Sequence, residues 1–274
     1  MQSIKFTKMH GAGNDYIFVN CFKEKVPKNL TQLAQEISSR HFGVGGDGLI
    51  LIMPPEDKKK NDARMRIFNL DGSEGEICGN GIRCVAKYIF DNKISSKKQY
   101  QIETLAGIIK PKIVATSRGK ATMIEVDMGL GVIRELNKDI VIDGKRITGH
   151  NISMGNPHFV IFVDDLNDID FASLGAKIER HPFFPKKTNV EFIQLRNRKE
   201  IIMRVWERGS GITLACGTGA CASVVASNAL KLTDNEVTVH LLGGALQIKV
   251  EKDGHVIKTG PAEVSFTGEY EVKD

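Results

Sequence analysis

Four short motifs recur in the same order in the two halves of this 274-residue chain. Gly13-Asn14 returns as Gly155-Asn156, 142 positions on, and Arg40-His41 returns as Arg180-His181, 140 positions on. Asp47, just ahead of an apolar run, matches Asn189, 142 positions on. Cys78-Gly79-Asn80-Gly81 matches Cys216-Gly217-Thr218-Gly219, 138 positions on. One match of this length arises by chance. Four in register, with an offset that barely drifts, imply a duplication and therefore two units of like topology. The polar stretch Thr116-Ser117-Arg118-Gly119-Lys120 is the expected crossover. Residues 1–118 then form the first unit and 119–263 the second. Strand-like Glu263-Val264-Ser265-Phe266 suggests that the tail, 264–274, returns to the first.

Hydrophobic periodicity predicts α/β structure with mixed sheets. Ile17–Val19, Leu49–Ile52 and Phe159–Val163 are apolar β-branched runs that read as buried strands. Alternation in Arg64–Phe68 and Ile201–Trp206 predicts half-buried strands. Leu30–Arg40, Gly81–Asp91 and Ala220–Leu230 read as helices, with Ile82, Val85, Ala86 and Ile89 on one face of the second.

Bulk properties exclude several classes. A hydrophobic fraction of 41% with 26% charged residues is that of a globular chain, and no apolar run approaches the length needed to cross a bilayer. The net charge of +5 is spread along the chain without basic-aromatic interleaving, so no nucleic-acid partner is expected. The Lys58-Lys59-Lys60 run lies among acidic residues and reads as a solvated loop. Five widely spaced cysteines without Cys-x-x-Cys point to a reducing cytoplasm, not a disulfide framework. No close Cys/His cluster suggests zinc.

The two cysteine phrases carry the chemistry. Each opens a predicted helix, with Asn80 and Thr218 as candidate N-caps. Glycines permit a tight turn, and the free N–H groups of a helix start receive carboxylates or phosphates. The same field should stabilise a thiolate. Each phrase thus offers a proton-transfer group beside an anion cradle. Two such phrases facing one cleft could remove a proton from a carbon and return one to the opposite face, which is racemisation or epimerisation by two bases. Structural cysteines would be the reading for either phrase alone. Their repetition favours function, whereas Cys21, Cys84 and Cys221 lack this context and are assigned to packing.

Gly43-Val44-Gly45-Gly46-Asp47-Gly48 matches the dinucleotide-binding fingerprint in letters only. A helix precedes it and a strand follows, the reverse of what that site requires, so a tight turn is expected. Asn14-Asp15 and Asn156-Pro157-His158 occupy matched positions. Asn69 and the pair Glu207-Arg208 lie upstream of the cysteines. Jointly these suit an amino-acid-like substrate, with Arg208 for a carboxylate and Glu207 with amide oxygens for ammonium groups.

These motifs resemble diaminopimelate epimerase over nearly the full chain: Met9-His10-Gly11-Ala12-Gly13-Asn14-Asp15, Asn69-Leu70-Asp71-Gly72-Ser73-Glu74, Cys78 to Cys84, Gly155 to His158, Asn189 to Phe192, Trp206 to Gly209, and Ala215 to Ala220. The resemblance implies interconversion of LL- and meso-diaminopimelate without pyridoxal phosphate, metal or other cofactor, in the lysine and cell-wall pathway. It implies two pseudo-symmetric domains, each a mixed sheet around a central helix, and a homodimer. Cys78 and Cys216 would be bases for opposite substrate stereoisomers, assisted by His158 and Glu207. Asn14, Asn69, Asn156, Asn189, Glu207 and Arg208 would contact substrate, and Gly79-Asn80 and Gly217-Thr218 would cradle carboxylate. Gly48 stands where some members carry Gln, removing a side-chain contact, and Thr218 replaces a common Ser while keeping the hydroxyl. Rivals are a proline or hydroxyproline racemase, which typically has His where Asn80 stands, and the phenazine-biosynthesis isomerase type, which lacks both thiols. From another class come a binding module, which would not need both thiols, and a redox sensor. Two facing thiols would also make oxidative inactivation reversible.

Overall fold

Ala12 and Gly13 both have positive φ, 55° and 85°. Two such residues in succession make the tight turn that suits a two-residue hairpin, and Gly11 accordingly pairs with Asn14. In this computed structural model, which describes residues 2–272, that hairpin joins β1 (Gln2–Gly11) to β2 (Asn14–Asn20). There follow α1 (Leu30–Ser38), β3 (Gly48–Met53), β4 (Ala63–Asn69), β5 (Glu74–Gly75), α2 (Gly81–Asp91), β6 (Ile102–Thr104), β7 (Gly107–Ile109), β8 (Lys112–Ser117) and β9 (Lys120–Leu130). Next come β10 (Val132–Ile142), β11 (Lys145–Ser153), β12 (Pro157–Val163), α3 (Phe171–Glu179), β13 (Asn189–Asn197), β14 (Glu200–Glu207) and β15 (Gly211–Ile212). The chain ends with α4 (Gly217–Ala229), β16 (Glu236–Leu241), β17 (Gly244–Val250), β18 (His255–Pro261) and β19 (Glu263–Val272).

Two units result, Met1–Val126 with Gly260–Asp274, and Asp127–Thr259. The divisions lie at 126/127 and 259/260, against the expected 118/119 and 263/264. The stretch 116–120 is no crossover: Ser117 pairs with Lys120 across Arg118 (φ 49°) and Gly119 (φ 73°) at the tip of the β8–β9 hairpin. Small polar residues and glycine serve tight turns as well as linkers, so composition could not separate the two.

In the first unit the strand order is β19-β1-β2-β3-β4-β6-β7, with β5 on β4. β2–β3 and β4–β6 are parallel and the other pairs antiparallel. The second unit contains β10-β11-β12-β13-β14-β16-β17, with β15 on β14, followed by β18. There β12–β13 and β14–β16 are the parallel pairs. The pattern repeats strand for strand, and β19 plays in the first unit the part of β10 in the second. The duplication read from four motifs is thus a duplication of topology.

Side-chain alternation places each sheet between two helices. Leu49 and Leu51 join Leu33, Ala34 and Ile37 of α1 in one core. Ile50, on the opposite face, reaches α2, where its Cδ1 would lie 2.6 Å from a Cβ on Gly81. α2 is buried on nearly all sides, Arg83 and Lys87 included, instead of showing one apolar face. Lys87 is accommodated by an ion pair with Asp91 (2.9 Å). Phe159, Ile161, Val190 and Phe192 pack with Ile178 of α3. α4 is also buried over Gly219–Ser227, a run rich in small residues. Cys84 and Cys221 are core residues on these helices, and burial pushes the Cys84 thiol up to about 12. Among the described residues no helix is long and apolar enough to cross a membrane.

Gly48 has a backbone reason to be glycine. A Cβ there would lie 2.1 Å from the Phe68 carbonyl oxygen and 3.1 Å from Tyr16 Cε1. The position has no room for a glutamine side chain. Gly48→Ala is expected to cost about 1–3 kcal/mol through overpacking. Urea denaturation would show this as a lower midpoint at unchanged slope, and an unshifted midpoint would contradict it.

Candidate active site

The glycine-rich 43–48 turn consumes its own N–H groups. Those of Gly43, Val44, Gly45 and Gly46 donate to Ser39, Ile37, Ile37 and Ser38 carbonyls, and that of Asp47 donates to Asp15. The turn closes the end of α1 and has no N–H group left for a phosphate among these five.

Each cysteine phrase builds the same cap. Gly81 N–H donates to Cys78 Sγ at 3.3 Å, and Gly219 N–H donates to Cys216 Sγ at 3.4 Å. One residue on, Ile82 N–H reaches the Cys78 carbonyl (2.9 Å) and Ala220 N–H the Cys216 carbonyl (3.0 Å). The cap side chain is therefore the cysteine sulfur and not Asn80 or Thr218. Asn80 has helical backbone angles and makes no side-chain cap bond. Its Oδ1 instead accepts from Arg83 (3.0 Å). The sulfur sits where capping side chains collect first-turn N–H groups, and first-turn N–H groups are ones that can receive an anion.

In the first unit, Asn14 gathers the site. Its Oδ1 accepts from Cys78 Sγ (3.2 Å) and from Asn80 Nδ2 (3.3 Å). Its Nδ2 donates to Asp47 Oδ2 (2.7 Å), which orients the amide. Asp47 is held by Arg40 (2.8 Å), and Arg40 also pairs with Asp15 (2.9 Å). The nearly buried Lys8 lies 2.6 Å from Asp15 and donates to the Gly45 carbonyl. Asn69 stands apart from these bonds, with its amide donating to Ser73 (3.0 Å) in the β4–β5 turn.

In the second unit the polar chain is longer. Cys216 is 4% exposed, and its thiol lies in the field of the Glu207 carboxylate. Thr218 Oγ1 lies 3.6 Å from Cys216 Sγ and accepts from Asn156 Nδ2 (3.3 Å). Asn156 Oδ1 is 3.0 Å from His158 Nε2, and His158 Nδ1 is 2.7 Å from Glu191 Oε1. Because an amide oxygen only accepts, His158 Nε2 carries the proton of that bond. Glu191 belongs to a motif that pointed to this chain's class, yet its place behind His158 was missed. The signal was one carboxylate inside the buried run Asn189–Ile193. Asn189 donates to the Pro157 carbonyl (2.8 Å) and accepts from Arg208 N–H (3.0 Å), so its amide splices two backbone segments. The exposed Arg208 side chain donates to the Lys186 carbonyl.

Electrostatics differ from the expected thiolate at Cys216. Burial, then the carboxylates of Glu207 and Glu191, raise its thiol well above the ordinary 9.0, outweighing the bonds from Thr218 and Gly219. Cys216 rests as a thiol. Burial also raises the Glu207 carboxyl above the ordinary 4.5, against the hydrogen bond that Thr213 Oγ1 donates to it. A carboxylate near the thiol whose affinity for a proton is raised is a suitable place for that proton to go. No group of three or more His, Cys, Asp or Glu side chains that could hold a metal ion occurs among the described residues.

Strand register refines the repeat. Tyr16 faces Gly48 and Gly48 faces Asn69, while His158 faces Asn189. Val190 faces Trp206, which brings Asn189 beside Glu207. The counterpart of Asn189 is thus Gly48, one residue beyond the Asp47 expected from the offset, and Asn69 corresponds to Glu207.

Two solved structures share this fold. A hydroxyproline epimerase from Agrobacterium vitis superposes with a TM-score of 0.71 at 14% identity, over 99% of this chain and 93% of that one. A Bacillus anthracis phenazine biosynthesis protein of the PhzF family gives 0.74 at 16% identity, over 99% and 100%. At such identities the likeness is one of fold. Sequence relatives are much nearer. Diaminopimelate epimerase of Halothermothrix orenii is 49% identical over 99% of both chains. That of Moorella thermoacetica is 47% identical over 97% of this chain and 98% of its own. The diaminopimelate epimerase family model matches residues 6–132 and 150–265. The class is therefore that of enzymes that isomerise amino acids. Within it, both cysteine phrases and the motifs around them fall inside the matched segments. The chain belongs to the diaminopimelate epimerase family.

Proposed function

We propose that this protein interconverts LL- and meso-diaminopimelate by two-base proton transfer between Cys78 and Cys216, without a cofactor. The observation that carries the reading is the identical sulfur cap at the head of each central helix. In this mechanism the two half-sites act on opposite faces of one α-carbon. One sulfur, as thiolate, takes the α-proton: the C–H bond breaks and an S–H bond forms. First-turn N–H groups, from Gly79-Asn80 and Gly217-Thr218, hold the α-carboxylate into which the electron pair spreads. The opposite thiol then gives its proton to the other face of the carbon and becomes the thiolate.

When Cys216 is the base, its thiol proton passes first to Glu207, the carboxylate whose field acts on the sulfur. His158 assists by holding Asn156 and, through it, Thr218. Asn14, Asn69, Asn156, Asn189 and Arg208 complete the substrate contacts, with Arg208 for the distant carboxylate. Asn14 and Asn189 already spend most of their hydrogen bonds on the protein, so they act chiefly as orienting groups. The same reading implies a cytoplasmic homodimer serving lysine and cell-wall synthesis.

Incubation of the purified protein with LL-diaminopimelate in D₂O, with no added cofactor, tests the function. Deuterium should appear at one α-carbon together with meso product. Exchange into proline, with none into diaminopimelate, would overturn the reading in favour of a proline racemase.

A further inference from the structure

Glu179, the last residue of α3, sits where a carboxylate does nothing for its own helix. A negative side chain there opposes the field of the helix C-terminus. The residue is nonetheless only 3% exposed. Its two oxygens are spent on one turn elsewhere in the unit. Oε2 accepts from the Trp206 indole N–H (2.9 Å) and Oε1 from the Gly209 backbone N–H (3.0 Å). Trp206 and Gly209 flank the pair Glu207-Arg208, so a single carboxylate brackets that pair from both sides. A third contact runs from Oε1 to the Lys187 ammonium (3.7 Å). The neighbouring Lys186 carbonyl accepts from the Arg208 guanidinium. Glu179 thus gathers the backbone on which Arg208 stands together with the loop that receives its side chain.

The surroundings keep the charge. Burial raises the Glu179 carboxyl, but the bonds from Trp206 and Gly209 and the cations of Lys187 and Arg180 bring it below the ordinary 4.5. At neutral pH it is a carboxylate. Packing supports the same contact. A Cβ on Gly175, one helical turn back, would lie 2.5 Å from Trp206 Cβ, so α3 lies directly against the strand that enters the turn. In the first unit the matched turn follows Asn69 and has no arginine. There α1 holds it with a neutral amide, Gln35 Nε2 donating to the Asp71 carbonyl (2.7 Å). The charged, two-oxygen anchor occurs in the unit whose turn carries Arg208.

We propose that Glu179 is a positioning residue for Arg208, holding the 206–209 turn so that the guanidinium stands where it meets a carboxylate of the substrate. The inference rests on the reading of Arg208 as the group that binds the distant carboxylate. Glu207 has holds of its own, Thr213 Oγ1 on its carboxylate and Gly211 across the β14–β15 pair. Arg208 is held at its backbone N–H by Asn189, while its guanidinium reaches the protein at Lys186, in the loop that Glu179 steadies. Loss of Glu179 therefore weakens substrate binding more than the proton-transfer step.

Glu179→Gln keeps the size of the side chain but offers one acceptor to two N–H donors, so the bracket opens at Trp206 or at Gly209. With LL-diaminopimelate, KM should rise about ten-fold while kcat stays within about two-fold, the pattern for lost binding that ground state and transition state share. A merely structural role would instead lower the active fraction, and with it kcat, at unchanged KM. Trp206→Phe removes only the indole N–H and should raise KM about three-fold. It carries the test if Glu179→Gln does not fold, which urea denaturation shows. Trp206 is the single tryptophan of the chain, so its emission reports on the anchor itself. In folded Glu179→Gln, either that emission shifts or hydrogen exchange of the Gly209 amide quickens about ten-fold. Wild-type KM in the folded variant overturns the proposal, as does wild-type emission together with wild-type exchange. If wild-type protein fails to turn over diaminopimelate while emission or exchange still changes in the variant, the assigned substrate fails and the hold of Glu179 on the turn stands.

Discussion

With Cys216 replaced by alanine, turnover of diaminopimelate is expected to fall by about 10²–10⁴-fold, the range for loss of a positioned acid or base. The same result is expected for Cys78→Ala. In the two-base scheme each direction of reaction uses one sulfur to take a proton and the other to give one, so neither is dispensable. The two losses should nevertheless differ in kind. Cys216 is buried and rests as a thiol beside Glu207, so its removal deletes a ready proton donor. Both substitutions also delete a helix cap, at a cost of about 1 kcal/mol. Far-UV circular dichroism and a denaturation curve are therefore needed beside the kinetics. Cysteine-to-serine variants keep a capping oxygen and should recover the stability but not the rate. A folded Cys78→Ala or Cys216→Ala protein with normal turnover would end the two-base reading.

Glu191→Ala is expected to cost about 3 kcal/mol, the scale for stripping a buried group of a charged hydrogen-bond partner. Both Glu191 and His158 are fully buried, and Oε1 lies 2.7 Å from Nδ1. Since Nε2 already carries a hydrogen towards Asn156, a single proton is shared along the Nδ1–Oε1 line. Alanine leaves Nδ1 facing a cavity and lets the ring turn. The bonds from His158 through Asn156 to Thr218, beside Cys216, then lose their anchor. Glu191→Gln should behave differently. Its amide can donate to Nδ1 of a neutral ring that keeps its Nε2 hydrogen, so most of the stability and the ring orientation survive. The urea midpoints of the two variants decide the matter. A glutamine variant as unstable as the alanine one would show that charge, and not a shared hydrogen bond, holds the histidine. Removing the carboxylate also takes away one of the causes that raise the Cys216 thiol.

Much of the site was legible because it depends on local backbone geometry. A Cys-Gly phrase ahead of a helical stretch becomes a sulfur cap through bonds three and four residues apart. Such contacts follow from helix geometry once the helix forms. The repeat was legible for a related reason, since recurring motifs at a constant offset require recurring elements. Other features were hidden. Thr116 to Lys120 reads as a linker or a turn with equal ease, and the pairing of Ser117 with Lys120 decides for the turn. Burial of α2 on nearly all sides, with Arg83 and Lys87 inside, ran against its polar residues. Their charges are met by the Asn80, Pro261 and Asp91 groups that only folding brings near.

The sequence by itself determined the duplication, the mixed α/β class, the two thiols and the family, because each rests on residue identity and order. Tertiary structure alone decided the finer assignments. It placed Gly48, not Asp47, opposite the role of Asn189, because strand register is set by hydrogen bonds between segments and not by spacing along the chain. It turned Asn80 away from the cap and put Glu191 behind His158. It also made Cys216 a resting thiol where a helix start alone suggested a thiolate. Burial and two carboxylates outweigh the field of the helix, and neither burial nor the meeting of distant charges is written in the order of residues.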